Sequence, residues 1–366
     1  MKIRPGFGAF DQERILRMGL TSIEWTDRTW NPTRGCSRVS EGCRNCYAER
    51  IAARFSDEDL EDPINCDPPL CELDPPLSDK RTGVFYGFAI RTPSGPRWTG
   101  KVELIESKLS EPLHWKKPQR VFVNSMSDLF HEALPDDAID RVFAIMALCP
   151  HITFQVLTKR PERMLKWFTP DWDAPRETWE RVRVRTALVK TKMSEEWDWP
   201  LSNVWLGVSV EDQATADVRI PLLLQTPAAI RFVSYEPALG TVDFAEFFKR
   251  SPRCPTEACI ALDECACLTR TGLDWIIAGG ESGPGARPPH LDWFRQVRDQ
   301  CIAADVAFFF KQWGEYFPRP GEAWMGDLHM ERIGKKKAGA LLDGREWKQF
   351  PLLVEHTTSR AKTQSR

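Results

Sequence analysis

No run of about 18 apolar residues occurs in the 366-residue chain, which speaks against a membrane-spanning helix. The opening stretch MKIRPGFGAFDQERILRMGL lacks an apolar core followed by a small-residue cleavage site, so no secretion leader is expected and the chain reads as cytoplasmic. Histidine is scarce: six residues leave few general bases or nitrogen ligands, which weakens a barrel hydrolase that relies on them. Neither sign of charge dominates, since 50 Lys and Arg face 52 Asp and Glu. What is plentiful is apolar bulk. With 42% hydrophobic residues, 15 Trp and 20 Phe, the chain is globular, and its length suits one large domain or two ordinary ones.

The small net charge of −2 hides an asymmetry. Between Ser56 and Lys80 stand nine acidic residues and one Lys, which leaves the remainder of the chain at +6. That balance permits a polyanionic substrate without requiring one. Eleven cysteines form an odd number without a leader, so metal or redox chemistry explains them better than a disulfide framework. They cluster as Cys36, Cys43 and Cys46, and as Cys254, Cys259, Cys265 and Cys267, with Cys66 and Cys71 in the acidic stretch. Cys149 and Cys301 stand alone in helical patterns and read as buried small hydrophobes.

From about Trp30 to Trp313, short β-branched or aromatic runs alternate with helical stretches, the signature of a parallel sheet. The strands fall at Arg120–Met126, Ile152–Thr158, Val204–Val210, Ile230–Tyr235, Trp275–Gly279 and Val306–Lys311, with weaker candidates near Trp30 and at Lys101–Ile105. Helices fit at Pro135–Leu148 and Leu291–Ala303. Six to eight β/α units without a linker predict a single (β/α) TIM-type barrel, closed or partial, over residues 21–350; a doubly wound sheet is the alternative. Residues 1–20 read as an extension, 56–80 and 251–271 as insertions, and 351–366 as a disordered tail.

Polar residues gather at the C-terminal ends of these strands, which form one face in such a barrel. They are Asn124, Ser125 and Asp128, then Lys159 and Arg160, then Ser209 and Glu211. Glu236 follows, then Gly279, Gly280 and Glu281, then Lys311. Together they predict a mixed-charge pocket. The run Lys335, Lys336, Lys337 near Arg345 suits phosphate or a solvated loop equally.

The segment TWNPTRGCSRVSEGCRNCYAERIAARF sets three cysteines in a polar loop before an amphipathic helix. The positive end of that helix favours thiolates. Three thiolates can hold three irons of a four-iron cube and leave the fourth iron open. A fourth ligand arriving through space, such as His114 or Cys66, would instead close the cluster or make a structural zinc site. The second group, CPTEACIALDECAC, has irregular gaps and is a weaker candidate for zinc or an auxiliary cluster.

The triad after the first strand of a β/α barrel resembles the radical S-adenosylmethionine superfamily, in particular the branch of spore photoproduct lyase. IEWTDRTWNPTRGC, CRNCYAER, GGESGPGARP and GKKKAGALLDGREW more closely resemble an uncharacterised phage-associated family with a three-cysteine motif, over about Thr21 to Phe350. The superfamily resemblance implies a 4Fe-4S cluster on Cys36, Cys43 and Cys46, S-adenosylmethionine held by the strand-end residues, and an electron donor. The lyase-like resemblance adds a nucleic acid or nucleotide substrate. Three departures stand out. Six residues rather than three separate Cys36 from Cys43, and Asn45 occupies the usual aromatic position, with Tyr47 following Cys46 as a possible cover for the cofactor. Gly279-Gly280-Glu281 follows a late strand rather than the second. The competing reading is a binding protein stapled by zinc or a closed cluster, without radical chemistry.

Overall fold

The computed structural model describes residues 21, 23–56, 83–169, 178, 180–184, 199–248, 272–320 and 328–351. Seven parallel strands make its main sheet: β1 Arg28–Trp30, β2 Gln119–Val123, β3 Ile152–Thr158, β4 Val204–Val210, β5 Ile230–Tyr235, β6 Trp275–Gly279 and β7 Ala307–Gln312. Their spatial order is their chain order. A doubly wound sheet reverses direction at a switch point; a strictly sequential order has none, and it describes a partial α/β barrel. Among the described residues β1 and β7 do not pair with each other, so the expectation of a closed barrel gives way to the partial one.

Right-handed crossovers put the connecting helices on one face. Helix α1 (Tyr47–Arg54) follows β1, α2 (Asp136–Ala147) follows β2, and α3 (Pro161–Phe168) follows β3. Helix α4 (Gln213–Gln225) follows β4 and α5 (Leu291–Ala303) follows β6. Alternation along each strand sorts the side chains. Val121 and Val123, Phe154 and Val156, Val233 and Tyr235 pack outward with the helices in the larger core. The opposite parity builds a second, aromatic core of Phe122, Trp205, Phe232, Trp275, Ile277 and Phe309 inside the curve of the sheet. Trp25 plugs it, with ring centroids 4.7 Å from Phe122 and 6.2 Å from Trp275. Cys149 and Cys301 are buried in the outer core, as their patterns predict.

Gly207 shows how tightly that inner core is filled: a Cβ there would stand 2.5 Å from the Phe232 ring. Gly207→Val is therefore expected to lower stability by about 1–3 kcal/mol, read as a fall in the denaturant midpoint without a change in slope. Gly207→Ala falls between the two.

Strand bounds differ from the sequence reading where local geometry intervenes. β2 stops at Val123 rather than Met126 because Asn124 takes a left-handed turn with φ of 60°. The Lys101–Ile105 candidate is reduced to Glu103–Leu104, an antiparallel partner of Thr33–Arg34 outside the main sheet. The N-terminal extension, most of both insertions and the tail lie outside the described residues, as do Cys66, Cys71, Cys254, Cys259, Cys265 and Cys267. No helix among the described residues is long and apolar enough to cross a membrane.

Candidate functional site

The aromatic plug fills the N-terminal half of the curved sheet and leaves the carboxyl ends of the strands for open space. There a cavity of about 440 Å³ opens, and Cys36, Cys43 and Cys46 all line it. Of the strand-end residues singled out from sequence, Asn124, Ser125, Asp128, Lys159, Ser209, Glu236, Glu281 and Lys311 also line it. Ser234, the register partner of Ser209 on the neighbouring strand, and Trp98, from the hairpin Ala89–Thr92 and Gly95–Trp98, complete the wall. Both escaped the sequence reading. Ser234 shares the inward parity of Phe232, which was the available signal; nothing in the pattern marks Trp98.

The wall has distinct chemical patches. Lys311 Nζ reaches both oxygens of Glu236, at 2.7 and 2.8 Å. These residues stand on β7 and just after β5, on either side of Gly279 on β6, where a Cβ would make ordinary van der Waals contact with both at 3.5 Å. Asn124 fixes its Oδ1 on the Thr33 N–H at 3.3 Å, while its buried Nδ2 has no acceptor among the described residues. A buried unpaired donor on a cavity wall is a place for a ligand acceptor. Tyr47 donates to the Ser125 carbonyl at 2.6 Å and holds its ring at the mouth.

Three other sequence candidates sit behind the wall. Glu211 is fully buried and takes Arg219 Nη1 at 3.0 Å, Lys159 Nζ at 3.3 Å and Ser40 Oγ at 3.2 Å. It therefore anchors the cysteine loop to β4. Gly280 is packed against the Trp313 carbonyl, where a Cβ would come within 1.9 Å. His114 hydrogen-bonds the Ser110 carbonyl and does not line the cavity.

Arg160 fastens the other end of the loop. Its buried guanidinium meets Asp128 at 3.1 Å, Glu132 at 2.8 Å, the Ser37 carbonyl at 3.1 Å and Cys36 Sγ at 3.9 Å. His131 accepts from the Ala133 N–H through Nδ1 at 3.1 Å, so its Nε2 carries the proton towards Ser37 Oγ at 2.8 Å. Burial and then Arg160 hold its pKa below the usual value, and the ring is neutral. That neutrality makes its 3.8 Å approach to Glu132 a contact rather than an ion pair.

The thiols behave differently from the expectation drawn from the helix end alone. Burial first, and Asp128 next, push Cys36 up to about 12. Burial also raises Cys46, against the N–H groups of Glu49 and Ala48 that favour its thiolate. Desolvation outweighs the helix terminus at Cys36 and Cys46, which favours their protonated forms when no cation is bound. A metal would displace the protons.

The donor set can be tested against the groups the sequence suggested. The three thiols line one cavity, with Arg160 Nη1 3.9 Å from Cys36 Sγ and Arg38 a second nearby positive charge. Neither a His nor a fourth Cys lines the cavity among the described residues. No group of three or more His, Cys, Asp or Glu among the described residues is arranged to hold a single metal ion. One ion draws its thiolates in to about 2.3 Å each, whereas in a cube each thiolate meets a different iron. Three thiols on one cavity wall with no fourth Cys or His beside them among the described residues are a donor set that a cube with one open iron could use.

No curated protein and no solved structure matches this chain. Residues 20–351 match a family model described as protein of unknown function (DUF5131), and the chain belongs to that family.

Proposed function

We propose that this chain is an iron–sulfur protein, a cytoplasmic radical S-adenosylmethionine-type enzyme whose substrate is a nucleic acid, a nucleotide or a related compound. The observation that carries the reading is the convergence of Cys36, Cys43 and Cys46 on one cavity at the carboxyl ends of a parallel half-barrel. Bound there, a reduced 4Fe-4S cluster would supply one electron, drawn from a separate donor, for reductive cleavage of S-adenosylmethionine. The chain's own residues orient and enclose. Asn124 Nδ2 offers an unpaired donor to a carboxylate or ring acceptor, Ser125, Ser209 and Lys159 offer polar contacts, and the Glu236–Lys311 pair suits a zwitterion. Tyr47 limits water at the mouth.

Lys335 lines the cavity rim, and Lys336 and Lys337 beside it are exposed, with no ion pair among the described residues. Unpaired cations at a rim support a phosphate-bearing substrate. The five described cysteines are free thiols, in keeping with a reducing compartment.

Anaerobic reconstitution with iron and sulfide tests the reading. About four irons and four sulfides per chain, broad visible absorbance and dithionite-dependent cleavage of S-adenosylmethionine are expected. A colourless chain that refuses iron and keeps one zinc per molecule would establish the stapled binding protein instead.

A further inference from the structure

The loop after β6, which runs Gly-Gly-Glu-Ser-Gly-Pro-Gly-Ala-Arg from Gly279 to Arg287, makes a set of contacts that a cofactor ligand could not spare. Both oxygens of Glu281 are already engaged. Oε2 accepts from Asn45 Nδ2 at 3.1 Å, from the Arg287 N–H at 2.8 Å and from Arg287 Nε at 2.9 Å, and Oε1 accepts from Arg287 Nη2 at 2.7 Å. Arg287 then passes beyond Glu281 to Glu41, donating to its carbonyl at 3.0 Å and its carboxylate at 3.3 Å. Asn45 Nδ2 also donates to the Gly285 carbonyl at 2.8 Å. Arg50 completes the contact from α1, donating to the carbonyls of Pro284 and Ser282 at 3.2 and 3.4 Å.

Every partner on the far side, Glu41, Asn45 and Arg50, brackets Cys43 and Cys46. None of them brackets Cys36, which Arg160 and His131 hold from β3 and β2 through Ser37. The backbone of the β6 loop is shaped for the approach. Gly283 and Gly285 have φ of 95° and 76°, and a Cβ on Gly283 would meet Arg50 Nη2 at 2.5 Å. The cysteine loop therefore spans the mouth of the half-barrel from the first strand to the sixth, fastened through Ser37 beside Cys36, through Ser40 on Glu211 between Cys36 and Cys43, and through the β6 loop around Cys43 and Cys46.

We infer that Glu281 and Arg287 form a clasp that sets the position of Cys43 and Cys46 relative to Cys36, so that they are positioning residues rather than ligands of a cofactor. The clasp itself is independent of any metal; its effect on iron rests on the iron–sulfur reading above. Opening it releases the second and third thiols while the first stays fastened. A buried carboxylate with four charge-assisted or neutral donors is a strong local tie, and losing the guanidinium leaves it unsatisfied.

The test compares the intact full-length apoprotein with Arg287→Ala, Arg287→Lys and Glu281→Gln. Iodoacetamide labelling of each cysteine, followed with time by mass spectrometry under anaerobic conditions, gives three separate rates. Arg287→Ala should speed labelling of Cys43 and Cys46 by about tenfold or more and leave Cys36 unchanged. Arg287→Lys should recover part of the protection, because an ammonium replaces the charge but not the fork. Equal acceleration at all three cysteines, with a lower unfolding midpoint, would make the pair a general structural tie and overturn the clasp; so would no acceleration at all. Iron uptake and the electron-paramagnetic spectrum of reconstituted samples supply a further readout. If the intact chain takes iron, Arg287→Ala should hold less of it and with a changed spectrum. If the intact chain takes none, the iron–sulfur reading falls, and the labelling ratios still decide the clasp.

Discussion

Cys43→Ala will lose its iron and with it all reductive cleavage of S-adenosylmethionine, and Cys36→Ala and Cys46→Ala will do the same. In the proposed cluster each thiolate would meet a different iron, so removing one would leave a metal without its protein ligand, and the two remaining thiolates could not close the site. Loss should exceed a hundredfold in cleavage, because the flanking residues tune a cluster but do not replace a ligand. Cys149→Ala and Cys301→Ala are the controls. Both thiols are fully buried in the outer core, where they only pack, and their replacement should leave iron content and cleavage intact at a small cost in stability. The assay needs no knowledge of the true substrate. Full iron and undiminished cleavage in Cys43→Ala would remove the triad from the reactive centre.

Arg160→Met should destabilise the chain by about 3–5 kcal/mol, the cost of stranding a buried charge. The side chains of Arg160 and Asp128 are only 4% and 8% exposed, so the carboxylate loses its one buried counter-charge when the guanidinium is gone. Glu132, which is 64% exposed, hydrates without difficulty and contributes little to the loss. Asp128 keeps Thr158 Oγ1 at 2.7 Å and the Lys159 N–H at 3.1 Å, which orient it without neutralising it. The double variant Arg160→Met with Asp128→Leu should therefore be less damaging than Arg160→Met alone. Urea titration reads both. A single variant that unfolds at the intact protein's midpoint would mean that the Arg160–Asp128 pair contributes nothing to stability.

Much of the scaffold was legible because parallel strands buried on both faces are near-continuous apolar runs. VWLGVSV, IRFVSY and WIIAG are buried almost throughout, and their bounds agree with the structure. β1 was visible only as a neighbourhood, since three residues carry too little pattern. Closure was not legible at all: whether the first and last strands meet depends on strand number and tilt, and no residue pattern encodes either. In the site, strand-end position correctly gathered Asn124, Lys159, Glu236 and Lys311 around one cavity. It could not say which polar groups face the cavity and which are spent behind it. Glu211 and Glu236 occupy equivalent strand ends, yet Arg219 arrives from α4 to claim Glu211, while Glu236 turns inward to Lys311. For Glu281 the cue was present, an Arg six residues later within one motif, and a motif read for cofactor contacts hid it.

The bridging cysteine loop has a consequence in time. Its ligands are neighbours in the chain, but its fastenings are not: Ser37 waits for Arg160, 123 residues on, Ser40 for Glu211, 171 on, and Asn45 for Glu281, 236 on. At about 5–20 residues per second, the ribosome delivers the last of these roughly 12–47 s after the thiols. For that interval a nascent chain carries three unsheltered cysteines. If the triad takes the proposed cluster, its loading would belong after the sixth strand has docked.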